Sequence, residues 1–404
     1  MPFRAFRPHP DLASQLACVP YDVINTTEAK LLAGNNQYSY LRVIRPEIDL
    51  DPSHDPYSPE VYKLAAKNLT SFITKKILIQ DPEPALYVYQ LQMGDQVQTG
   101  LAGLTSVDDY DQGLIKLHEK TRVEKEQDRI QHITTCGAHT EPVFLTYRND
   151  ETLTSLLMAE TAGDPLYKFE ADDGIRHTIW RVKELEAIRA AFLRLPCLYI
   201  ADGHHRAAAA SSCRAKLRSE NPGHQGDEAY NFFLSVTFPH NQLKILPYNR
   251  IVKRTPVDPE ALFETLTKRF QMSETKHPSP SCRGNVCMYI GGRWYELLLL
   301  KSTPPPCDPV EALDVSLLQE RILAPLFSIG DPRQDKNIDF VGGLRGTEEL
   351  KRLVDDGTAT AAFSMFPVPI EDLFTVADQG RCMAPKSTWF EPKLRSGLLV
   401  HKFV

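Results

Sequence analysis

The run Leu198-Tyr199-Ile200-Ala201-Asp202-Gly203-His204-His205-Arg206 concentrates groups able to bind or move a phosphate. Cys197 to Ala201 is apolar and rich in strand formers, which predicts a buried strand. Ala207 to Leu217 is alanine-rich and lacks Gly and Pro, which predicts a helix. A strand-to-helix corner aims unpaired backbone N–H groups and the positive end of a helix dipole at one point, a seat for an anion. Gly203 lets the backbone approach a ligand closely, and Arg206 can fork onto phosphate oxygens. His204 and His205 add donors or a proton shuttle. The plainer alternative is a capped helix start, with Asp202 as N-cap and both imidazoles in solvent.

A second stretch begins at Ile115-Lys116-Leu117-His118-Glu119. His118, Arg122, Lys125, Arg129 and His132 follow at i, i+4, i+7, i+11 and i+14, which places them on one face of a helix. Leu117, Val123 and Ile130 are the sole aliphatics between Lys116 and Gln131. Such a segment is either a solvated surface helix, with Glu124 and Asp128 pairing with neighbouring cations, or the wall of a polar cleft. Glu119, a carboxylate among cations, is expected to be ionised at neutral pH. A third stretch, Pro385-Lys386-Ser387-Thr388, is too polar for a core. It precedes Trp389-Phe390, which should anchor it.

Other chemistries find little support. There is no Gly-x-x-x-x-Gly-Lys-Ser/Thr, no Gly-x-Gly-x-x-Gly after a strand and no Gly-x-Ser-x-Gly elbow. Val341-Gly342-Gly343-Leu344-Arg345-Gly346 reads as a loop. His118-Glu119 lacks the second histidine of a zincin helix. A zinc site would draw on His118, His177, His204 and His205, but no cysteine pair supports it, and adjacent histidines on a strand point apart.

The elements that must position these residues follow from patterning. The net charge of −6 argues against a general nucleic-acid binder. No apolar run approaches bilayer length, the first residues show no apolar leader, and the eight scattered cysteines suit a reducing, cytoplasmic setting. Tyr40–Ile44 alternates like a strand, and Glu60–Thr74 carries a helical stripe. Leu86–Leu91 and Gln98–Val107 form a hairpin through Met93-Gly94-Asp95. Asp172–Trp180 reads as a turn entering a strand with an exposed His177. Beyond Thr255 the texture changes. Helices are expected over Pro256–Phe270, Val315–Leu326 and Glu348–Val354, and Thr303-Pro304-Pro305-Pro306 breaks the chain. The pattern predicts an α+β chain with a boundary near Thr255, residues 1–254 forming a first region and 255–404 a second that returns the 385–388 loop to the corner.

In this order, the His-Glu, Asp-Gly-His-His-Arg and Pro-Lys-Ser-Thr motifs resemble those of the free serine kinases built on the ParB/sulfiredoxin-like fold. Together with Phe3–Pro8 and Pro20-Tyr21-Asp22-Val23, nearly the whole chain resembles the bacterial domain-of-unknown-function family 1015. The resemblance implies that residues 1–254 are the catalytic region, a ParB/sulfiredoxin-like core with large insertions, and that the activity is that of a small-molecule kinase. ATP or ADP would be the phosphoryl donor, and free L-serine or a similar hydroxy-amino acid the acceptor. Glu119 would be the base, assisted by His118 and His205. Asp202, Gly203, His204, His205 and Arg206 would hold the nucleotide phosphates. Lys386, Ser387 and Thr388 would bind substrate or phosphate, with Arg122 beside them. Asp202 could hold Mg²⁺ or cap the helix. A ParB-like nucleotide switch acting through partners and a histidine-based metal hydrolase are the competing classes. No membrane or nucleic-acid partner is expected.

Overall fold

Apolar alternation and the reversal at Gly94-Asp95 build the hairpin at the centre of the first sheet. Strands Tyr87–Met93 and Gln96–Ser106 pair antiparallel, Tyr87 opposite Ala102 and Met93 opposite Gln96. In a computed structural model, which describes residues 1–255, 258–300 and 306–404, this hairpin belongs to a mixed eight-stranded sheet. Its strands run in the order Ile115–Lys116, Leu198–Asp202, Val143–Tyr147, Phe232–Pro239, Gln96–Ser106, Tyr87–Met93, Arg176–Arg181, Tyr167–Glu170. Two of the pairings are parallel: Leu198–Asp202 with Ile115–Lys116, and Phe232–Pro239 with Val143–Tyr147.

The chain divides into two units. The first comprises Met1–Lys116, Thr121–Leu243 and Pro392–Val404, and the second Leu117–Lys120 and Lys244–Glu391. In the first, Leu86, Val88, Leu145, Ile200 and Phe233 pack one core with Ile188 of the helix Leu185–Phe192. A separate core gathers Leu16, Tyr40, Leu69 and Phe72, and Val400 from the end of the chain joins it. The second unit holds an antiparallel six-stranded sheet. Its order is Gln271–Thr275, Arg293–Leu298, Asn285–Ile290, Ala361–Met365, Tyr248–Val252, Ile338–Gly342.

Some expected elements change form. Leu41–Ile44 is a short helix, not a strand: Leu41, Val43 and Ile44 are all buried, and among the described residues no strand pairs with it. The helix Thr26–Ala33 is capped by Asn25, whose side chain and that of Glu28 bond reciprocally to backbone N–H groups. The expected helix over Pro256–Phe270 spans Pro259–Arg269, with Pro256 and Val257 outside the described residues. Thr303, Pro304 and Pro305 also lie outside them. The helix expected over Val315–Leu326 is interrupted by a π-helical turn at Gln319–Leu323.

Buried histidines make the first unit acid-sensitive. His139 stacks on His401 with ring centroids 5.9 Å apart and planes 6° apart, and His132 Nε2 donates to the Val43 carbonyl at 2.9 Å. Burial, with Arg129 adding to it, lowers His132 to about 4; burial, with His401 adding to it, lowers His139 to about 3. Both values lie below the ordinary 6.5, so unfolding takes up protons. Their contribution is complete above that value. It falls by up to about 1.4 kcal/mol per pH unit per histidine as pH drops toward the folded values. Urea melts from pH 7.5 to 5 should show this decline, and His139→Phe should flatten it. Identical slopes in both proteins would contradict the assignment.

Candidate active site

The corner after Leu198–Asp202 is shaped by a register shift. Ile200 pairs with Leu145 but Asp202 pairs with Phe144, an irregularity that re-aims the Asp202 side chain. Gly203 follows in the left-handed region at φ 94°, and the 17-residue helix His204–Glu220 begins behind it without a side-chain cap. Asp202 is therefore not the N-cap. Its Oδ1 accepts from Lys393 Nζ at 3.0 Å and its Oδ2 from Arg206 Nη2 at 2.7 Å. Burial alone would raise this carboxyl, but Lys393 and Arg206 outweigh it and hold Asp202 well below the usual carboxylate range.

Arg206 is 5% exposed and also donates through Nη1 to the Pro142 carbonyl. Its Nε is buried and has no hydrogen-bond partner among the described residues. A Cβ on Gly203 would lie 2.9 Å from that Nε, so the guanidinium folds back across the glycine. An orphaned donor over a side-chain-free turn, at the start of a long helix, fits an oxyanion such as a phosphate. The same corner does not fit Mg²⁺ at Asp202, because two cations already occupy both carboxylate oxygens. Among the described residues no three His, Cys, Asp or Glu side chains are grouped as a metal ion would need.

The expected basic helical face does not form. The helix spans Val123–Cys136, so His118 and Arg122 precede it, and Arg122 is its N-cap residue. The Arg122 N–H donates to His205 Nε2 at 3.0 Å, which ties the start of this helix to the corner. Arg129 is buried rather than presented to a ligand. It bonds Asp128 at 2.8 Å and Glu141 at 3.4 Å, and lies 3.8 Å from the Tyr21 ring centroid. Its helical spacing reflects a buried ion network. His177 is likewise fully buried, not exposed, with Nδ1 2.9 Å from the Tyr89 hydroxyl; burial lowers it to about 2.

The second unit brings the other two motifs together. His118 Nε2 lies 3.1 Å from Thr388 Oγ1, and the His118 carbonyl accepts the Met383 N–H at 2.8 Å. The Pro385–Thr388 turn is fixed by Ser387 Oγ, which donates to the Ala384 carbonyl at 2.6 Å, and by Lys386 at φ 57°. Lys386 Nζ lies 5.5 Å from the Tyr248 ring centroid. Glu119 lines a cleft of about 300 Å³ with Lys120, Ser316, Gln319, Glu320, Arg333 and Cys382. Gln319 and Glu320 come from the π-helical turn, a distortion frequent at functional sites. Gly342, in the glycine-rich stretch, serves packing: a Cβ there would strike the Trp389 ring at 2.5 Å.

The structure thus groups Asp202, Gly203, His204, His205, Arg206 and Arg122 in one unit, and His118, Glu119, Lys386, Ser387 and Thr388 in the other. Sequence reasoning missed Lys393. The available signal was weak: Lys393 stands four residues after Trp389, with Arg395 and Ser396 close behind it.

The family described as "Protein of unknown function (DUF1015)" matches residues 1–316. No curated protein matches the chain. A conserved hypothetical protein from Pyrococcus furiosus is 15% identical at a TM-score of 0.36, over 74% of this chain and 95% of that one. A free serine kinase in complex with AMP is 13% identical at a TM-score of 0.36, over 74% and 92%. SbnI with a C-terminal truncation, from Staphylococcus aureus, is 12% identical at 0.38, over 74% and 86%. Likeness at this level leaves the assignment of roles to the residues themselves.

The corner makes a local prediction. Gly203→Ala places a Cβ in the left-handed region, at a cost of about 1–2 kcal/mol, and against the Arg206 guanidinium. Urea denaturation should show at least that loss, and a variant as stable as the parent would mean that the guanidinium does not lie over the turn.

Proposed function

This chain belongs to the DUF1015 family, and from that premise we propose that it is a nucleotide-dependent phosphotransferase. It moves a phosphoryl group from ATP or ADP to the hydroxyl of a small hydroxy-amino acid, on a ParB/sulfiredoxin-like catalytic region. The observation that carries the reading is the 3.1 Å contact between His118 and Thr388, which joins two motifs 270 residues apart next to Glu119. The likeness of the three motifs to those of free serine kinases supports the same reading.

Phosphoryl transfer asks for charge neutralisation of the moving group and an oriented acceptor hydroxyl. In this reading the nucleotide phosphates take the N–H groups of the Gly203–Arg206 turn and the orphaned Nε of Arg206. His204 and His205 flank them, and Lys393 adds positive charge to the corner through its bond to Asp202. Glu119 accepts the proton of the acceptor hydroxyl. His118 and the Lys386–Thr388 turn hold the acceptor in reach of Glu119. Any magnesium ion would enter with the nucleotide phosphates and not through Asp202.

Glu119→Gln keeps the shape and removes the proton acceptor. Turnover with ATP or ADP and a hydroxy-amino-acid panel should fall by about 10²–10⁴-fold, with nucleotide affinity by calorimetry nearly unchanged. Parental turnover in the variant would remove Glu119 from catalysis. Loss of nucleotide binding as well would assign Glu119 to the phosphate site.

A further inference from the structure

Arg250 sits in the middle of the strand Tyr248–Val252, between Ala361–Met365 and Ile338–Gly342 in the second unit. Register places it opposite Phe363 on one side and Phe340 on the other, so all three share a face of the sheet. Phe363 packs edge-on against Phe327 at 5.7 Å, which shows that the face is covered. Arg250 is 3% exposed. Its Nη1 donates to the Tyr248 carbonyl, and its Cζ lies 5.5 Å from the Phe340 ring centroid. Among the described residues no carboxylate pairs with it.

That is unusual for a buried charge, which is normally paired because an isolated one is costly to desolvate. Arg129 and Arg206, equally buried, each bond a carboxylate, and both are raised by their acidic partners in spite of burial. Arg250 shifts the other way: burial lowers it to about 10, with Tyr248 opposing weakly. A second cation is near. The Tyr248 ring is 6.2 Å from Phe340, 5.2 Å from Trp389 and 5.5 Å from Lys386 Nζ. Lys386 and Arg250 therefore lie against adjoining rings, and the turn carrying Lys386 also carries Thr388, the partner of His118.

We propose that Arg250, with Lys386, is the cationic half of an anion-binding site in the second unit, completed by an oxyanion of a bound small molecule. The chemistry is that of a carboxylate or a phosphate, either of which a guanidinium fork accepts. The carboxylate of a hydroxy acid would turn its hydroxyl toward the turn that holds His118. The site stands whichever reaction Glu119 serves.

The test is thermal unfolding of the full chain with inorganic phosphate, L-serine or L-serinamide, in the parent and in Arg250→Met and Arg250→Lys. The parent Tm should rise with phosphate, or with serine and not serinamide; the first response assigns a phosphate, the second a carboxylate. Arg250→Met removes an uncompensated charge, so its ligand-free Tm should hold or rise. Its response should be weakened about tenfold or more, the value of a charge-assisted hydrogen bond. Arg250→Lys keeps the charge without the fork and should respond in between; it decides the matter if the Met variant does not fold. A parent indifferent to phosphate and serine, or variants that respond as the parent does, would overturn the proposal. An anion response that follows Arg250 while Glu119→Gln leaves turnover intact would uphold this site and sink the catalytic role of Glu119.

Discussion

One buried carboxylate holds the first unit's Asp202–Arg206 corner in shape. Glu141 accepts the Tyr21 N–H at 3.1 Å and the Ser396 hydroxyl at 3.0 Å, and pairs with Arg129 at 3.4 Å. The contacts to Tyr21 and Ser396 each join segments more than 100 residues apart. The backbones of Cys18 and Ser396 bond in both directions, at 3.2 and 2.9 Å, and bring the end of the chain alongside its beginning. Three residues before Ser396 is Lys393, which reaches Asp202. The charge pattern at the turn thus depends on a chain of contacts that starts at Glu141. Burial raises the Glu141 carboxyl against the pull of Arg206 and Arg129, so the hub is the member most costly to keep ionised. Breaking a buried pair by removing one partner typically costs about 3–5 kcal/mol.

The second unit positions its carboxylate by a different device. Glu119 rides on no helix or strand. The segment is fixed at His118, whose carbonyl takes the Met383 N–H and whose ring lies against Thr388. Such a loop is placed by its neighbours, so Glu119 depends on the Met383–Thr388 chain being in position. Aromatic packing supplies that: Trp389 Nε1 donates to Glu391 at 2.7 Å, and the Trp389 ring stands edge-on to Tyr248.

What the sequence made legible was chemistry at turns, and what it hid was chemistry that depends on partners. The strand, glycine and alanine-rich helix around Asp202 follow from local preferences, so that corner was readable. The alternative of Asp202 as a cap does not hold, because its partners Arg206 and Lys393 take its oxygens in place of a backbone N–H, and Lys393 is distant in sequence. Helical spacing suggested a basic face from His118 to His132. Periodicity reports which residues share a face, not whether that face meets water or a carboxylate. Arg129 and His132 keep the period and lie in the interior, while His118 lies ahead of the helix, its carbonyl engaged by Met383. Arg250 escaped notice for the opposite reason. Nothing near it in sequence distinguishes a lone arginine in a strand from a surface one; only burial without a counter-ion does.

The contrast between Arg206 and Arg250 bears on how each proposed site would meet an anion. Arg206 rests on Asp202, so it is already neutralised, and under the proposed function a phosphate would find the guanidinium oriented with one donor in reserve. Because Lys393 and Arg206 hold Asp202 ionised far into the acid range, that preorganisation persists over the pH interval in which ordinary histidines titrate. Arg250 has no such partner. Its burial cost is borne by the rest of the second unit until an anion arrives, so an anion there adds stability as well as orientation. The first arrangement suits a ligand that must come and go without disturbing the fold. The second couples occupancy of the site to the firmness of the sheet around it.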